Sequence, residues 1–292
     1  MSRDLRSNLR ENSRQIVIAP NRRWFHFDWQ GLLQYRDLLY FLVRRDFVSK
    51  YKQTILGPLW FIIQPILTTV FFTIIFGKMV RISTDSLPPV LFYLCGLLAW
   101  NYFSQCLNST SVTLSANVHI FGKVFFPRLI VPVSVVMSNL FAFLLQFFTF
   151  LAFYIFYKFF TPAGALIRPT IFLWMLPFLV LQTAMLSLGV GLLISALTVR
   201  YRDFHHLMGF LSQLWMYATP IVYPMSSIPE KKRIILELNP MTSIVECFRF
   251  AFFGKGLIEP VFIVISMLVT ILLFLVGLFA FNKVERTFVD LI

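Results

Sequence analysis

The chain has 292 residues, of which 58% are hydrophobic and 13% are charged, and its formal net charge is +13 at pH 7. So few charges exclude a soluble domain of this length. The basic residues gather at the N-terminus and in short loops, which fits anionic lipid headgroups and argues against nucleic acid as a partner. Several apolar stretches reach about 18 residues or more without the alternation of β-barrel strands. The predicted fold class is an all-α polytopic membrane protein.

Residues 1–57 are predicted to form a cytoplasmic tail followed by an amphipathic interface helix. Residues 1–22 are rich in Arg, Asn and Ser and lack the apolar core of a cleavable signal peptide. From residue 24 to residue 52, leucines and aromatic residues alternate with basic residues at nearly helical intervals. This pattern is typical of a helix lying in the plane of the headgroups. A soluble helix packed against a partner is the alternative.

Residues 58–292 are predicted to form the transmembrane domain. Apolar stretches predict six membrane-spanning helices, at residues 58–76, 90–107, 129–156, 171–199, 206–222 and 261–281. Pro65 lies inside the first of them and predicts a kink. Residues 224–259 contain two segments too short to cross, which predict a re-entrant hairpin on the extracytoplasmic side. The even number of spans and the distribution of Lys and Arg place both termini in the cytoplasm, with the chain in a bacterial inner membrane.

The sequence lacks the patterns that an enzyme or a self-powered carrier needs. No GxxxxGK[ST] phosphate loop occurs, so ATP hydrolysis is expected in a separate subunit. His205 and His206 follow Asp203, but adjacent helical residues point about 100° apart and do not readily share a metal ion. The spans hold almost no ionisable residues at mid-depth, where coupled carriers use them. The chain is therefore predicted to have no catalytic residues, no metal and no cofactor of its own, with ATP and Mg²⁺ in the partner.

Four segments, in order along the chain, resemble one known family. They are residues 44–65, residues 123–128, residues 199–203, and residues 219–224 followed by Asn239-Pro240 and by Glu246 to Arg249. Together they resemble the permease of type-2 ABC exporters that move O-antigen, capsular polysaccharide or teichoic acid.

This resemblance implies a homodimer with two ATPase subunits and a tunnel along the dimer axis. It also implies that the loop at residues 108–128 contains a coupling helix that docks on the ATPase. The predicted coupling residues are Asn117, His119, Ile120, Phe121, Lys123, Arg200, Arg202 and Asp203. For the last three, an ion-pair latch and ordinary anchoring at the cytoplasmic face are equal alternatives.

Two further groups of residues are predicted to meet the substrate. A lipid diphosphate in the cytoplasmic leaflet would meet the basic side chains of Arg44, Arg45, Lys50 and Lys52, although general attraction to anionic lipids explains them equally well. The predicted tunnel and gate residues are Trp60, Phe61, Gln64, Tyr93, Trp100, Tyr102, Trp215, Tyr217, Tyr223, Asn239, Glu246 and Arg249. Aromatic rings stack on sugar faces, but helix packing and membrane interfaces also use them.

The predicted function is the permease subunit of an ATP-driven exporter of undecaprenyl-diphosphate-linked polysaccharide, with O-antigen as the first choice of glycan. Capsular polysaccharide or teichoic acid is the close alternative. A membrane-embedded glycan-processing enzyme and an exporter of small drugs or lipids are two more distant candidates.

Overall fold

The computed structural model describes residues 29–49, 52, 54–117, 126–201 and 203–287, and every regular element among them is helical. The α-helices are α1 (Trp29–Gln34), α2 (Arg36–Ser49), α3 (Trp60–Phe72), α4 (Pro89–Ser111), α5 (Thr113–Ala116), α6 (Ile130–Phe160), α7 (Leu176–Arg200), α8 (Phe204–Tyr217), α9 (Glu230–Glu237), α10 (Pro240–Phe253) and α11 (Pro260–Thr287). Short 3₁₀ turns occupy Gly57–Leu59, Pro162–Leu166, Ile171–Met175 and Met225–Ser227. The predicted all-α class is confirmed.

Five helical stretches of the described chain are long and apolar enough to cross a membrane. They are Gly57–Met79, Pro89–Ser111, Ile130–Phe160, Ile171–Val199 and Pro260–Glu285. They coincide with the first four predicted spans and with the last one. A chain with these five stretches is a multi-pass membrane protein.

The predicted fifth span, residues 206–222, is shorter in the structure than the sequence suggested. Its helix, α8, has 14 residues, and at about 1.5 Å of rise per residue it is shorter than the roughly 30 Å hydrocarbon layer. α8 ends at Tyr217 because Pro220 has no N–H and disfavours a helical conformation at Thr219. Six complete spans therefore remain a prediction.

The C-terminal part of the first span has a different helical geometry from the rest. Pro65 lies within α3, which continues to Phe72, and the predicted kink there remains a prediction. From Thr73 to Met79 the chain forms a π-helix, and the Val80 N–H donates to the Ile75 carbonyl at 2.9 Å. π-Helical turns are rare and frequently occur near functional sites.

α4 is the central helix of the fold. In an 18-residue apolar stretch of α4, 78% of the residues are buried, whereas 11% are buried in the corresponding stretch of the first span. α4 packs against α3, α6, α7 and α10, and α7 packs in turn against α11. A Cβ added to Gly277 of α11 would overlap the Gly189 carbonyl of α7, so glycine at both positions lets the two helices approach closely.

Two peripheral parts of the chain pack onto this helical core. α2 lies along α6, where its Leu42 is buried and the Phe47 and Phe141 ring centroids are 5.8 Å apart. The predicted hairpin, residues 224–259, contains two short helices, α9 and α10. α10 is largely buried against α4 and α11, and it ends at Gly254, whose φ of 65° favours glycine.

Candidate functional site

A buried ion pair on α10 connects several segments. Arg249 Nη1 donates to Glu246 Oε1 at 2.9 Å, and the two side chains are 2% and 5% exposed. Arg249 Nη2 donates to the Ile221 carbonyl at 2.8 Å, and the guanidinium carbon lies 3.7 Å from the Phe92 ring centroid. The Leu257 N–H donates to Glu246 Oε2 at 3.1 Å. These contacts offset the cost of removing both charges from water.

Glycines provide the space for this ion pair. A Cβ on Gly96 of α4 would lie 3.1 Å from Arg249 Nη2 and 3.3 Å from Ile221 Cγ2. A Cβ on Gly256 would lie 3.1 Å from Glu246 Oε2, and its φ of 144° is itself a glycine conformation. The pair thus depends on close backbone approach from α4 and from the loop after α10.

Asn239 joins the end of α8 to the start of α10. Its Oδ1 accepts from Trp215 Nε1 at 2.9 Å and from the Met241 N–H at 3.1 Å, so the side chain caps α10. Its Nδ2 donates to Thr219 Oγ1 at 3.0 Å. The Trp215 ring packs edge-on against Phe103 of α4, with the centroids 4.9 Å apart. Trp215 and Asn239, both predicted gate residues, are therefore in direct contact.

The loop between the first two spans contains a strained turn. Asp85 and Ser86 have φ of 52° and 63°, and the Leu87 N–H donates to the Thr84 carbonyl at 2.9 Å. This is the shape of a type I′ turn, which normally takes Asn-Gly or Asp-Gly. Positive φ at a residue other than glycine costs about 1–3 kcal/mol.

Asp85 is also bonded to both ends of the hairpin. Ser226, which precedes α9, donates from Oγ to Asp85 Oδ1 at 2.6 Å. Lys255, which follows α10, donates from Nζ to the Asp85 carbonyl at 2.6 Å. Such bonds contribute about 0.5–3 kcal/mol each, similar to the cost of the strained turn. Asp85 is absent from the predicted site residues, because the sequence around it signals only a polar loop.

α9 exposes apolar residues near its C-terminal end and buries one acidic residue there, while Glu230, Lys231 and Lys232 at its start are exposed. Ile234, Ile235 and Leu238 are 55%, 72% and 54% exposed, whereas Glu237 is 7% exposed. Arg233 is half-buried and donates from Nη2 to the Ile228 carbonyl at 3.2 Å. Burial raises the pKa of Glu237 and the charge of Glu259 raises it further, while the charge of Arg233 lowers it. The C-terminal end of α9, unlike its charged and exposed start, is thus the reverse of a helix at the surface of a soluble protein.

Three predicted tunnel residues lie on the central helix α4. Tyr93, Trp100 and Tyr102 of α4 are at most 4% exposed and lie in the helical core. There they pack against other rings, as Tyr102 does against Phe143 at 5.2 Å between centroids. These three residues pack as core residues in the single chain, and their role in a tunnel between two copies remains a prediction.

The remaining aromatic and amide residues of the predicted tunnel lie nearer the surface. Trp60 and Tyr217 are about half exposed, Gln64 is exposed, and Phe61 and Tyr223 are partly buried. Tyr223 donates from its hydroxyl to the Tyr217 carbonyl at 3.2 Å, which brings these two residues together.

Part of the predicted ATPase-coupling set lies outside the described residues, namely His119, Ile120, Phe121, Lys123 and Arg202. Arg200 ends α7. Asp203 is exposed just before α8, and Asn117 follows α5, where its Nδ2 donates to the Thr113 carbonyl at 2.9 Å. The Leu114 N–H donates to Ser195 Oγ at 3.2 Å, which attaches α5 to α7.

The predicted headgroup residues differ in their exposure and in whether their charges are paired. Arg44 and Lys52 are exposed, and Lys50 lies outside the described residues. Arg45 donates from Nη2 and Nε to Asp46 Oδ1, at 2.8 and 3.0 Å. The exposed side chains of Arg44 and Lys52 are therefore better placed to bind a phosphate group than that of Arg45, which is bonded to Asp46.

Comparison with known proteins places this arrangement of helices in a family. Residues 37–253 match the family model described as ABC-2 type transporter. The chain belongs to the ABC-2 type transporter family. The matched range begins within α2 and ends with α10, so it includes the Glu246–Arg249 pair, Asn239 and the Asp85 turn.

Similar members of the ABC-2 type transporter family match over most of their length. The O-antigen export system permease protein RfbA of Klebsiella pneumoniae is 29% identical over 88% of this chain and 95% of the relative. The protein of the same name from Myxococcus xanthus is 30% identical over 82% of this chain and 90% of the relative. The capsule polysaccharide export inner-membrane protein CtrC of Neisseria meningitidis serogroup B is 24% identical over 87% and 95%.

Proposed function

We propose that this chain is the membrane permease of an ATP-driven exporter that moves lipid-linked polysaccharide across the inner membrane, with O-antigen as the glycan. The supporting observation is its similarity, along nearly the full length, to O-antigen export permeases. Capsular polysaccharide is the second candidate. The identity to the capsule export protein CtrC is 24%, against 29–30% to the O-antigen permeases, which favours O-antigen.

The driving force in this proposal comes from a separate ABC ATPase subunit, present in two copies with two copies of this chain. Family membership supports an ATPase partner. Gln64 on the first span and Gln213 on α8 are exposed in the single chain. Polar amides are unfavourable against lipid tails, so these positions suit a second copy or a polar conduit between two copies.

The segment before the first span is proposed to lie at the cytoplasmic membrane surface. In α1 and α2, Leu33, Tyr40 and Phe41 are 69%, 70% and 62% exposed, close in sequence to the exposed Arg44. Large apolar side chains beside exposed basic ones suit a headgroup layer, where rings enter the acyl boundary and guanidinium groups reach phosphates. A lipid diphosphate would meet Arg44 and Lys52 at this level.

The α9–α10 hairpin is proposed to be re-entrant from the extracytoplasmic side, between a fifth span that includes α8 and the last span at α11. The exposed Ile234, Ile235 and Leu238 at the C-terminal end of α9 support this position, because apolar side chains suit a lipid surface. With six spans, both termini lie in the cytoplasm.

Reconstitution tests the proposal as a whole. The chain is co-purified with its proposed ABC ATPase partner and placed in vesicles with a polyprenyl-diphosphate-linked O-antigen. We expect glycan transfer across the bilayer only with both subunits and ATP, and faster ATP turnover when the glycan is present. Transfer or chemical alteration of the glycan by this chain alone would contradict the proposal and favour a glycan-processing enzyme.

A further inference from the structure

Three segments that are distant in sequence meet at Asp85. The loop after the first span carries Asp85, Ser226 precedes α9, and Lys255 follows α10. Asp85 accepts one bond through its carboxylate and one through its backbone carbonyl, each 2.6 Å long. The α9–α10 hairpin therefore cannot move away from this loop without breaking a bond at each of its ends.

The backbone at this point is strained as well as bonded. Asp85 and Ser86 both have positive φ in a turn that would favour glycine. Strained conformations persist when surrounding contacts hold them, and they cluster at sites that switch between states. The free energy contributed by the two bonds is similar to the free-energy cost of the strained turn. The bonded arrangement can therefore open at little net cost.

The first span makes few buried contacts with the core of the single chain. Its most apolar window is 11% buried, and its outer end, Thr73–Met79, is π-helical, a geometry that regular helix can replace. The hairpin, in contrast, is fixed to α4 by the Arg249 contacts. A displacement of the first span therefore acts on the hairpin through the loop that carries Asp85.

We propose that Asp85 is a positioning residue that latches the outer loop of the first span to the hairpin through Ser226 and Lys255, and that this latch opens during each export cycle. Relaxation of the turn at Asp85 and Ser86 accompanies the release. The export readout of this proposal rests on the proposed function, whereas the latch itself can be measured without any glycan.

The first experiment measures hydrogen exchange of the complete complex, without glycan. We expect Ser226→Ala and Lys255→Met each to accelerate exchange of the amides of residues 84–87 and 225–237 by roughly threefold or more, with α7 unchanged. Lys255→Arg keeps a donor and restores slow exchange. Ser227→Ala and Lys231→Met are the matched controls, because Ser227 bonds to the Pro224 carbonyl and Lys231 is exposed. Unchanged exchange in the first two variants would overturn the latch.

The second experiment locks the latch in the assembled exporter. Asp85→Cys and Ser226→Cys are joined by a short bis-maleimide that cleaves with reductant, after the buried Cys95, Cys106 and Cys247 are replaced by Ala. We expect ATP hydrolysis to continue, export to fall by about tenfold, and cleavage to restore it. Normal export while locked would overturn the requirement for opening. If the complex of the unaltered chain moves no glycan, the proposed function fails, and hydrogen exchange still decides the latch.

Discussion

The guanidinium of Arg249 lies 3.7 Å from the ring centroid of Phe92, so a charge on α10 is held against the central helix α4. The same guanidinium bonds to Glu246 and to the Ile221 carbonyl. The hairpin is thereby fixed to the fold by a group that is costly to bury alone.

Removing one partner of this pair is expected to destabilise the protein strongly. Arg249→Met leaves the Glu246 carboxylate buried without its ion-pair partner, and breaking a buried pair in this way costs about 3–5 kcal/mol. The measurement is the thermal unfolding midpoint of the purified protein in detergent. The double variant Glu246→Leu with Arg249→Met should recover much of the loss, and Lys231→Met, an exposed position, should change little. A midpoint unchanged in Arg249→Met would contradict the role of the pair.

Close packing of α7 on α11 is expected to require glycine at position 277. Gly277→Ala brings a Cβ into the Gly189 carbonyl and must push the helices apart, at a cost of about 1–3 kcal/mol or more. Gly209→Ala is the control, because nothing lies within 4 Å of the Cβ position there. Alanine has the higher helix propensity, so this control should be neutral or slightly stabilising. Equal unfolding midpoints for both variants would argue against the close approach.

Charge reversal in the N-terminal segment is expected to separate a phosphate contact from general attraction to lipid. Arg44→Glu, at an exposed position, should reduce export of a diphosphate-linked glycan by about tenfold if the guanidinium binds phosphate. Arg36→Glu is the control, since Arg36 is also exposed. Equal losses in both variants would favour general attraction to anionic lipid over a headgroup contact.

Replacement of the predicted docking residues is expected to uncouple ATP hydrolysis from transport. His119→Ala with Phe121→Ala should leave ATP turnover in the assembled complex and reduce the glycan moved per ATP by about tenfold, because a docked helix transmits movement as a rigid body. If the double variant moves as much glycan per ATP as the unaltered chain, the docking helix does not lie in this loop.

The proposed extracytoplasmic position of α9 can be tested by labelling. A cysteine in place of the exposed Lys231 should react with a membrane-impermeant maleimide added outside intact spheroplasts, while a cysteine at Ser2, in the predicted cytoplasmic tail, should react only after permeabilisation. The reverse pattern would mean that the topology is inverted.

The long spans could be predicted from the sequence because a hydrocarbon layer leaves little choice to an apolar stretch of sufficient length. The end of α8 could not be predicted from hydropathy, since the apolar run continues to Val222 although Pro220 stops the helix. The burial of Tyr93 and Trp100 could have been predicted from the sequence. Residues 89–100 of α4 contain no charged or amide side chain, and a stretch of helix that is apolar on every side is commonly surrounded by protein.

The site was only partly predictable. Glu246, Arg249 and Asn239 were named through a family resemblance, and Trp215 as an aromatic ring able to stack on a sugar; neither argument gives the contacts of these residues. Asp85 has no such signal, because its role arises from Ser226 and Lys255, which lie 141 and 170 positions further along the chain. Contacts of this sequence separation are formed by the whole fold and are not encoded in any local pattern.

The polarity of α9 has a consequence for how the protein reaches its folded state. The exposed side chains of Ile234, Ile235 and Leu238 leave water only when a bilayer covers them. Glu237 becomes buried only when neighbouring helices surround it. The hairpin is therefore expected to settle last, after the flanking spans have inserted. Detergents that remove the lipid around α9 should unfold this segment before any other part of the molecule.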